Sequence, residues 1–167
     1  MSLVERIDRG AICRLLLNQP GRLNVLSDNL LNALQEELDS VNKSNNIRCV
    51  IISGAGNGFC AGHDLKEMTK QRQNPDGGVG YFQDLFVRCS KMMTTIQSLP
   101  QPVIAQVHGI ATAAGCQLVA SCDLAVADES ARFGVNGVNI GLFCSTPMVA
   151  LTRAVGRKKA FEMLVTG

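Results

Sequence analysis

The chain has 167 residues, 46% hydrophobic and 18% charged, which suits a folded domain with a core of ordinary size. A net charge of +2 and an aromatic content of 4%, with no Trp, disfavour a nucleic-acid or anionic-membrane surface. No apolar run is long enough to span a bilayer, and seven cysteines without a CxxC pair read as buried thiols of a reducing compartment.

The first residues, MSLVERIDRG, have neither the apolar centre of a signal peptide nor an Arg-rich, acid-poor transit pattern. The expected address is cytoplasmic, or mitochondrial if a transit peptide was removed. Residues 4–8 and 11–17 flank Arg9-Gly10 and predict a hairpin. Residues 18–26, NQPGRLNVL, have loop chemistry, with Pro20-Gly21 marking a turn. Ser27 can cap the next helix, in which Leu30, Leu31, Leu34, Leu38 and Val41 recur at helical spacing. Residues 48–53, RCVIIS, predict a buried strand that runs into GAGNG and then FCAGHDLKEM. Residues 69–80 are polar and glycine-rich and predict a mobile surface loop. Tyr81, Phe82, Leu85, Phe86, Cys89, Met92, Met93 and Ile96 mark the core face of a helix that Pro100 stops. A second buried strand over 103–107 enters the small-residue stretch HGIATAAG. A short helix over 117–122, a strand over 124–127, an irregular stretch over 134–143 and helices over 145–154 and 157–165 complete the order. Alternating strands and helices imply an α/β class, and no linker divides the chain, so 1–167 reads as one domain.

Two stretches share a logic: FCAGHD and ATAAGCQ each follow a strand and each place Gly or Ala at a turn. Small residues leave backbone N–H groups uncovered, and two such turns on neighbouring strands can aim two donors at one developing oxyanion. The plainer alternative is that small residues only permit tight helix–sheet packing. GAGNGFCAG lacks the Gly-Lys-Ser/Thr ending of a phosphate loop, and Phe59 occupies the third glycine of a dinucleotide fingerprint.

FCAGHDLKEM, PVIAQVHGIATAAGCQLVASCDLAVA, ARFGVNGVNIGLFCSTPMVALTRAVGRKKAFEMLVTG and NQPGRLNVLS together resemble the crotonase (enoyl-CoA hydratase/isomerase) family. The resemblance runs from about Ala11 to Gly167 and implies a crotonase-like ββα spiral core, with the family's further C-terminal helices absent. It implies an acyl-CoA ligand whose thioester oxygen meets the backbone N–H groups of His63 and Ala114. A larger side chain at Ala113 or Ala114 would obstruct that thioester. Coenzyme A would lie along Arg22, Leu23, Val25, Ala61, Asp64 and Leu65, with Gly62, Ile110, Ala113 and Gly115 also lining the ligand. The thioester is the ligand itself, and no separate cofactor or metal is implied. Family members assemble as homotrimers or hexamers; here that expectation depends on the C-terminal helices, whose absence would leave apolar surface exposed.

The two glutamates that hydratases of the family use fall on Gln117 and Gly137. Glutamine orients a water but moves no proton at neutral pH, and glycine offers no side chain. Other candidates have plain readings. Arg22 is a phosphate contact or a solvated loop arginine. His63 has an imidazole that the resemblance does not use and that is expected to face solvent. His108 reads as structural, Asp123 as pairing at a strand entry, and Ser145-Thr146 as a helix cap. Cys60-x-x-His63 has no second pair at zinc-like spacing, and Cys116 has no adjacent base. Three functions stay open: an acyl-CoA enzyme with unorthodox proton carriers, a non-catalytic acyl-CoA-binding protein, and a structural subunit without CoA binding.

Overall fold

The computed structural model describes residues 2–167. Strands β1 (Val4–Arg9) and β2 (Ile12–Leu17) form the expected antiparallel hairpin. Parallel strands β3 (Cys49–Gly54) and β4 (Val103–Val107) follow on β2, and β6 (Leu124–Ala127) closes the sheet in the order β1-β2-β3-β4-β6. A second, two-stranded parallel sheet pairs β5 (Ile110–Thr112) with β7 (Arg132–Gly134).

Helix α1 (Asp28–Asn42) starts where Ser27 Oγ accepts the Leu30 N–H at 3.2 Å. Its leucine stripe is buried against one face of the large sheet, where Leu15, Leu17, Val50, Ile52, Val103 and Ala105 are fully enclosed. Helix α3 (Val79–Ser98) adds Leu85, Cys89, Met92, Met93 and Ile96 to the same core. On the sheet's other face, Arg14 donates to Ser53 Oγ at 3.2 Å and to Gln106 Oε1, while β6 is exposed along its whole length.

The stretch expected as a loop over 69–80 is partly helical. Helix α2 (Leu65–Gln71) runs into its start and α3 begins at Val79 near its end. The loop reading missed α2 because a seven-residue helix shows too little periodicity; its start depends on Asp64, which accepts from Lys66 N–H at 3.0 Å and Glu67 N–H at 3.4 Å. Helix α4 (Ala114–Ser121) begins three residues earlier than expected, inside the small-residue turn. The irregular stretch over 134–143 contains a 3-10 segment, Asn136–Ile140, and the end of β7. Helices α5 (Ser145–Ala154) and α6 (Arg157–Thr166) follow as expected.

Candidate functional site

The two glycine-rich turns lie side by side. Cys60 and Ala111 form a parallel bridge, with Cys60 N–H donating to the Ile110 carbonyl and Thr112 N–H to the Cys60 carbonyl, each at 3.0 Å. Beyond this bridge His63 pairs with Leu26 in a second parallel bridge. A Cβ on Gly62 would lie 3.3 Å from the Ala114 nitrogen, which places the two turns in contact. The N–H groups of His63 and Ala114 donate to no other group among the described residues. Ala114 is the first residue of α4, so its N–H has no partner within the helix and sits at the positive end of the helix dipole.

The residue before each amide has a left-handed backbone. Gly62, just before His63, has φ +89°, and Ala113, just before Ala114, has φ +51° and ψ −121°. Glycine adopts such a conformation freely; alanine pays about 1–3 kcal/mol, which the surrounding hydrogen bonds must sustain. Ala113 N–H is held by the Gly134 carbonyl at 3.0 Å, so the β5–β7 sheet anchors the strained turn. Gly115 is needed for the close approach, since a Cβ there would overlap the Cys60 carbonyl. The small residues thus permit tight packing of the two turns, and the amides of His63 and Ala114 have no acceptor among the described residues.

Asn24, which the sequence reading did not single out, clamps the first loop to this turn. Its side-chain amide donates to the carbonyls of Ala55 at 2.9 Å, Gly58 at 2.9 Å and Phe59 at 3.1 Å, and its oxygen accepts the Gln19 N–H at 2.8 Å. The residue is fully buried with φ +52°. Only its place in NQPGRLNVL, an asparagine able to adopt left-handed backbone, could have signalled it.

Several of the residues expected to bind CoA are neighbours in the structure. The Leu23 side chain and the Ile110 backbone lie beside Gly58, and Ala61 N–H donates to the Leu23 carbonyl at 3.0 Å. Val25 is half-buried and Leu65 is exposed at the start of α2. Arg22 pairs with Asp64, whose buried carboxylate also caps α2. Arg22 is thus neither free nor merely solvated: its guanidinium is held over the loop by an acid committed to another task.

The His63 side chain does not face solvent, contrary to expectation. Its ring meets Phe86 edge-to-face at 5.9 Å, and neither ring nitrogen has a hydrogen-bond partner among the described residues. Burial pulls its pKa below the usual imidazole value, so the ring is neutral at pH 7. His108 is structural, as expected, with Nε2 at 2.8 Å from the Gly56 carbonyl. Asp123 Oδ2 accepts the Val103 N–H at 2.8 Å, which matches the strand-entry reading. Ser145 is the first residue of α5 and its hydroxyl caps nothing, because Cys144 occupies the capping position. Burial pushes the Cys60 thiol up to about 12 and Cys116 up to about 11, so both are protonated and unreactive at neutral pH.

Gln117 is 8% exposed, and its N–H bonds the Ala113 carbonyl at 3.0 Å. Its side-chain oxygen is buried without a partner, at a cost of about 1–3 kcal/mol unless a ligand or water meets it. The residue lines a cavity of about 220 Å³ between α3, α4 and α5, with Phe86, Met93, Thr146 and Arg153 on its other walls. Gly137 is buried in the 3-10 segment, and a Cβ there would overlap Cys144 Sγ and the Leu142 carbonyl. This position therefore has no room for any side chain in the present backbone. A larger apolar groove of about 530 Å³ lies on the far side of α4, between Val119, Leu124, Phe133, Leu151 and Met163. It touches neither donor residue and continues the exposed surface of β6.

The model of the enoyl-CoA hydratase/isomerase family matches residues 8–167. The chain belongs to that family. It is 53% identical over 156 residues to the mitochondrial enoyl-CoA hydratase domain-containing protein 3 of Xenopus laevis, covering 93% of this chain and 51% of the relative. The human protein of that name is 50% identical over 156 residues, covering 93% and 50%. The crystal structure of an enoyl-CoA hydratase from Mycobacterium smegmatis superposes with a TM-score of 0.92 at 55% identity, covering 99% of this chain and 63% of that one. The chain thus has the crotonase fold and spans about half the length of these curated relatives. The relatives' names give a mitochondrial address, which lends nothing to the cytoplasmic expectation. Among the described residues no helix is long and apolar enough to cross a membrane, and no group of three or more His, Cys, Asp or Glu is arranged to hold a metal.

Proposed function

We propose that this chain is an acyl-CoA-binding crotonase unit that polarises a thioester carbonyl between the N–H groups of His63 and Ala114. The supporting observation is the pair of uncommitted amides on two turns that meet where Gly62 approaches the Ala114 nitrogen, each preceded by a residue with left-handed backbone. Two N–H donors fixed before the ligand arrives stabilise negative charge on oxygen without reorganisation. Coenzyme A would follow the rim of Leu23, Ala61 and Ile110, with Arg22 exchanging its carboxylate for a phosphate. Hydration by two glutamates is not part of this function, since Gln117 transfers no proton and Gly137 has no space for a side chain.

The test is binding of cinnamoyl-CoA, whose conjugated carbonyl absorbs at longer wavelength when polarised. A red shift on binding, together with a rise in melting temperature with free CoA, is the expected result. Binding without a red shift would remove the oxyanion role. No binding would favour the structural-subunit reading, for which the uncovered edge strand β6 is the specific observation. The same edge and the adjoining apolar groove are where we place contacts between copies in a homotrimer or hexamer, to be read from the mass in solution.

A further inference from the structure

His63 carries both an uncommitted N–H and a buried titratable ring. The N–H belongs to the Gly62–His63 peptide, whose carbonyl accepts the Leu26 N–H at 2.8 Å. A trans peptide is planar, so its N–H points opposite to its carbonyl. The Leu26 bond thereby fixes the direction of the His63 N–H. The imidazole has neither nitrogen open to water nor a partner for either among the described residues, and Phe86 of α3 meets it edge-to-face at 5.9 Å. An ion cluster from three helices lies close by. Asp28 of α1, two residues beyond Leu26, accepts from Arg88 of α3 at 2.7 Å and from the Tyr81 hydroxyl at 3.4 Å. Its own N–H donates to Glu67 of α2 at 3.0 Å, and Arg88 also holds Asp84 at 2.6 Å.

A neutral imidazole suits this place and an imidazolium does not. Burial opposes a charge on the ring most strongly, the Leu26 backbone and Asp28 favour it, and Arg88 opposes it. The Asp28 carboxylate is already engaged by Arg88 and Tyr81, so a charged ring has no free acceptor where it sits. It must move to water or compete for Asp28. The first movement displaces the residue that bears the N–H, and the second displaces the Leu26–Asp28 segment that orients it. We propose that the His63 side chain is a positioning group for its own N–H: seated against Phe86 and neutral, it keeps the donor in place for the thioester oxygen, and on protonation it leaves that seat and withdraws the donor. This rests on the acyl-CoA reading above. The site then polarises an acyl-CoA at neutral pH and ceases to do so in acid. Burial and the Asp28 charge push the Tyr81 hydroxyl up to about 12, so it keeps its proton throughout.

The experiment titrates the 167-residue protein with bound cinnamoyl-CoA downward from neutral pH. It reads the red shift of the bound thioester, the bound fraction by equilibrium dialysis, and the imidazole NMR signals. The chain has two histidines, and comparison with His63→Leu assigns them. The expected red shift per bound ligand falls below about pH 6.5 with the midpoint of the His63 signal. His63→Leu should remove that step, and titration of the ligand's own phosphates is common to both proteins. Asp28→Asn should move the midpoint down and Arg88→Gln should move it up, each by about 0.5 pH or more, because one charge favours the imidazolium and the other opposes it. Both substitutions break the same ion pair, so a purely structural role would shift the two midpoints in one direction. A red shift that does not follow the His63 signal, or two midpoints that move the same way, overturns this inference and leaves the oxyanion reading standing. No binding, or binding without a red shift at any pH, removes both readings.

Discussion

Gly62→Ala is the substitution that best probes how the two turns make one site. Gly62 has φ +89°, a region an L-residue enters at roughly 1–2 kcal/mol. The added Cβ would also lie 3.0 Å from both the Ala113 Cβ and the Thr112 carbonyl oxygen. Neither neighbour moves easily, because Ala113 is tied to Gly134 and Thr112 to Cys60. Crowding of that kind costs about 1–3 kcal/mol. The sum, roughly 2–5 kcal/mol, corresponds to a fall of about 4–20 °C in Tm for a chain of this size. Gly10→Ala is the control. Gly10 has φ +59° in the hairpin turn, but nothing lies within 4 Å of its Cβ position. It should carry the conformational cost alone. Melting curves of the two variants, with and without CoA, separate the contributions. Gly62→Ala should be less stable than Gly10→Ala by about 1–3 kcal/mol and should lose the CoA-induced shift, because the same displacement moves the Ala114 N–H. Equal destabilisation of both variants, with the CoA shift retained, would refute the claim that close packing of the turns sets the donor geometry.

Three further outcomes follow from individual residues. Asn24→Ala leaves three carbonyls and the Gln19 N–H without their buried partner, so urea denaturation should show a loss of about 3 kcal/mol or more. The buried His63 imidazole has a lowered pKa, so the unfolded chain takes up its proton more readily than the folded one. The stability tied to its neutral ring is present above about pH 6.5 and is lost as pH falls through the folded value. His63→Leu should therefore flatten the decline in urea midpoint between pH 7 and 5, and an unchanged decline would contradict the buried neutral ring. Gly137→Ala should cost about 1–3 kcal/mol in thermal melts because its Cβ meets Cys144 and Leu142, so Gly137→Glu with Gln117→Glu should not yield a stable hydratase by simple restoration.

The sequence carried the large elements because each follows from local chemistry. The leucine spacing from Leu30 to Val41, the Ser27 cap, Arg9-Gly10 between two strands and Pro100 after a helix are rules of sequence neighbours. Short elements were less legible. Strands β5 and β7 have three residues each and exist because they pair with one another, and α2 depends on a single capping aspartate. Among site residues, His63, Ala114 and Gln117 could be placed from the family resemblance of the motifs around them. Asn24 could not, since its three acceptors lie more than thirty residues away along the chain.

By itself, then, the sequence determined the α/β class, the family, the two small-residue turns and the lack of acidic side chains at Gln117 and Gly137. Those are properties of residue identity and spacing. Only the tertiary structure decided that the His63 ring turns inward against Phe86, that Arg22 is held by Asp64, and that Gly137 has no room for a side chain. It also decided that Ala113 bears a strained left-handed backbone just before Ala114. Each of these depends on where distant segments meet. A side chain's direction and the space around it are set by the packing of the whole, which no stretch of neighbours encodes.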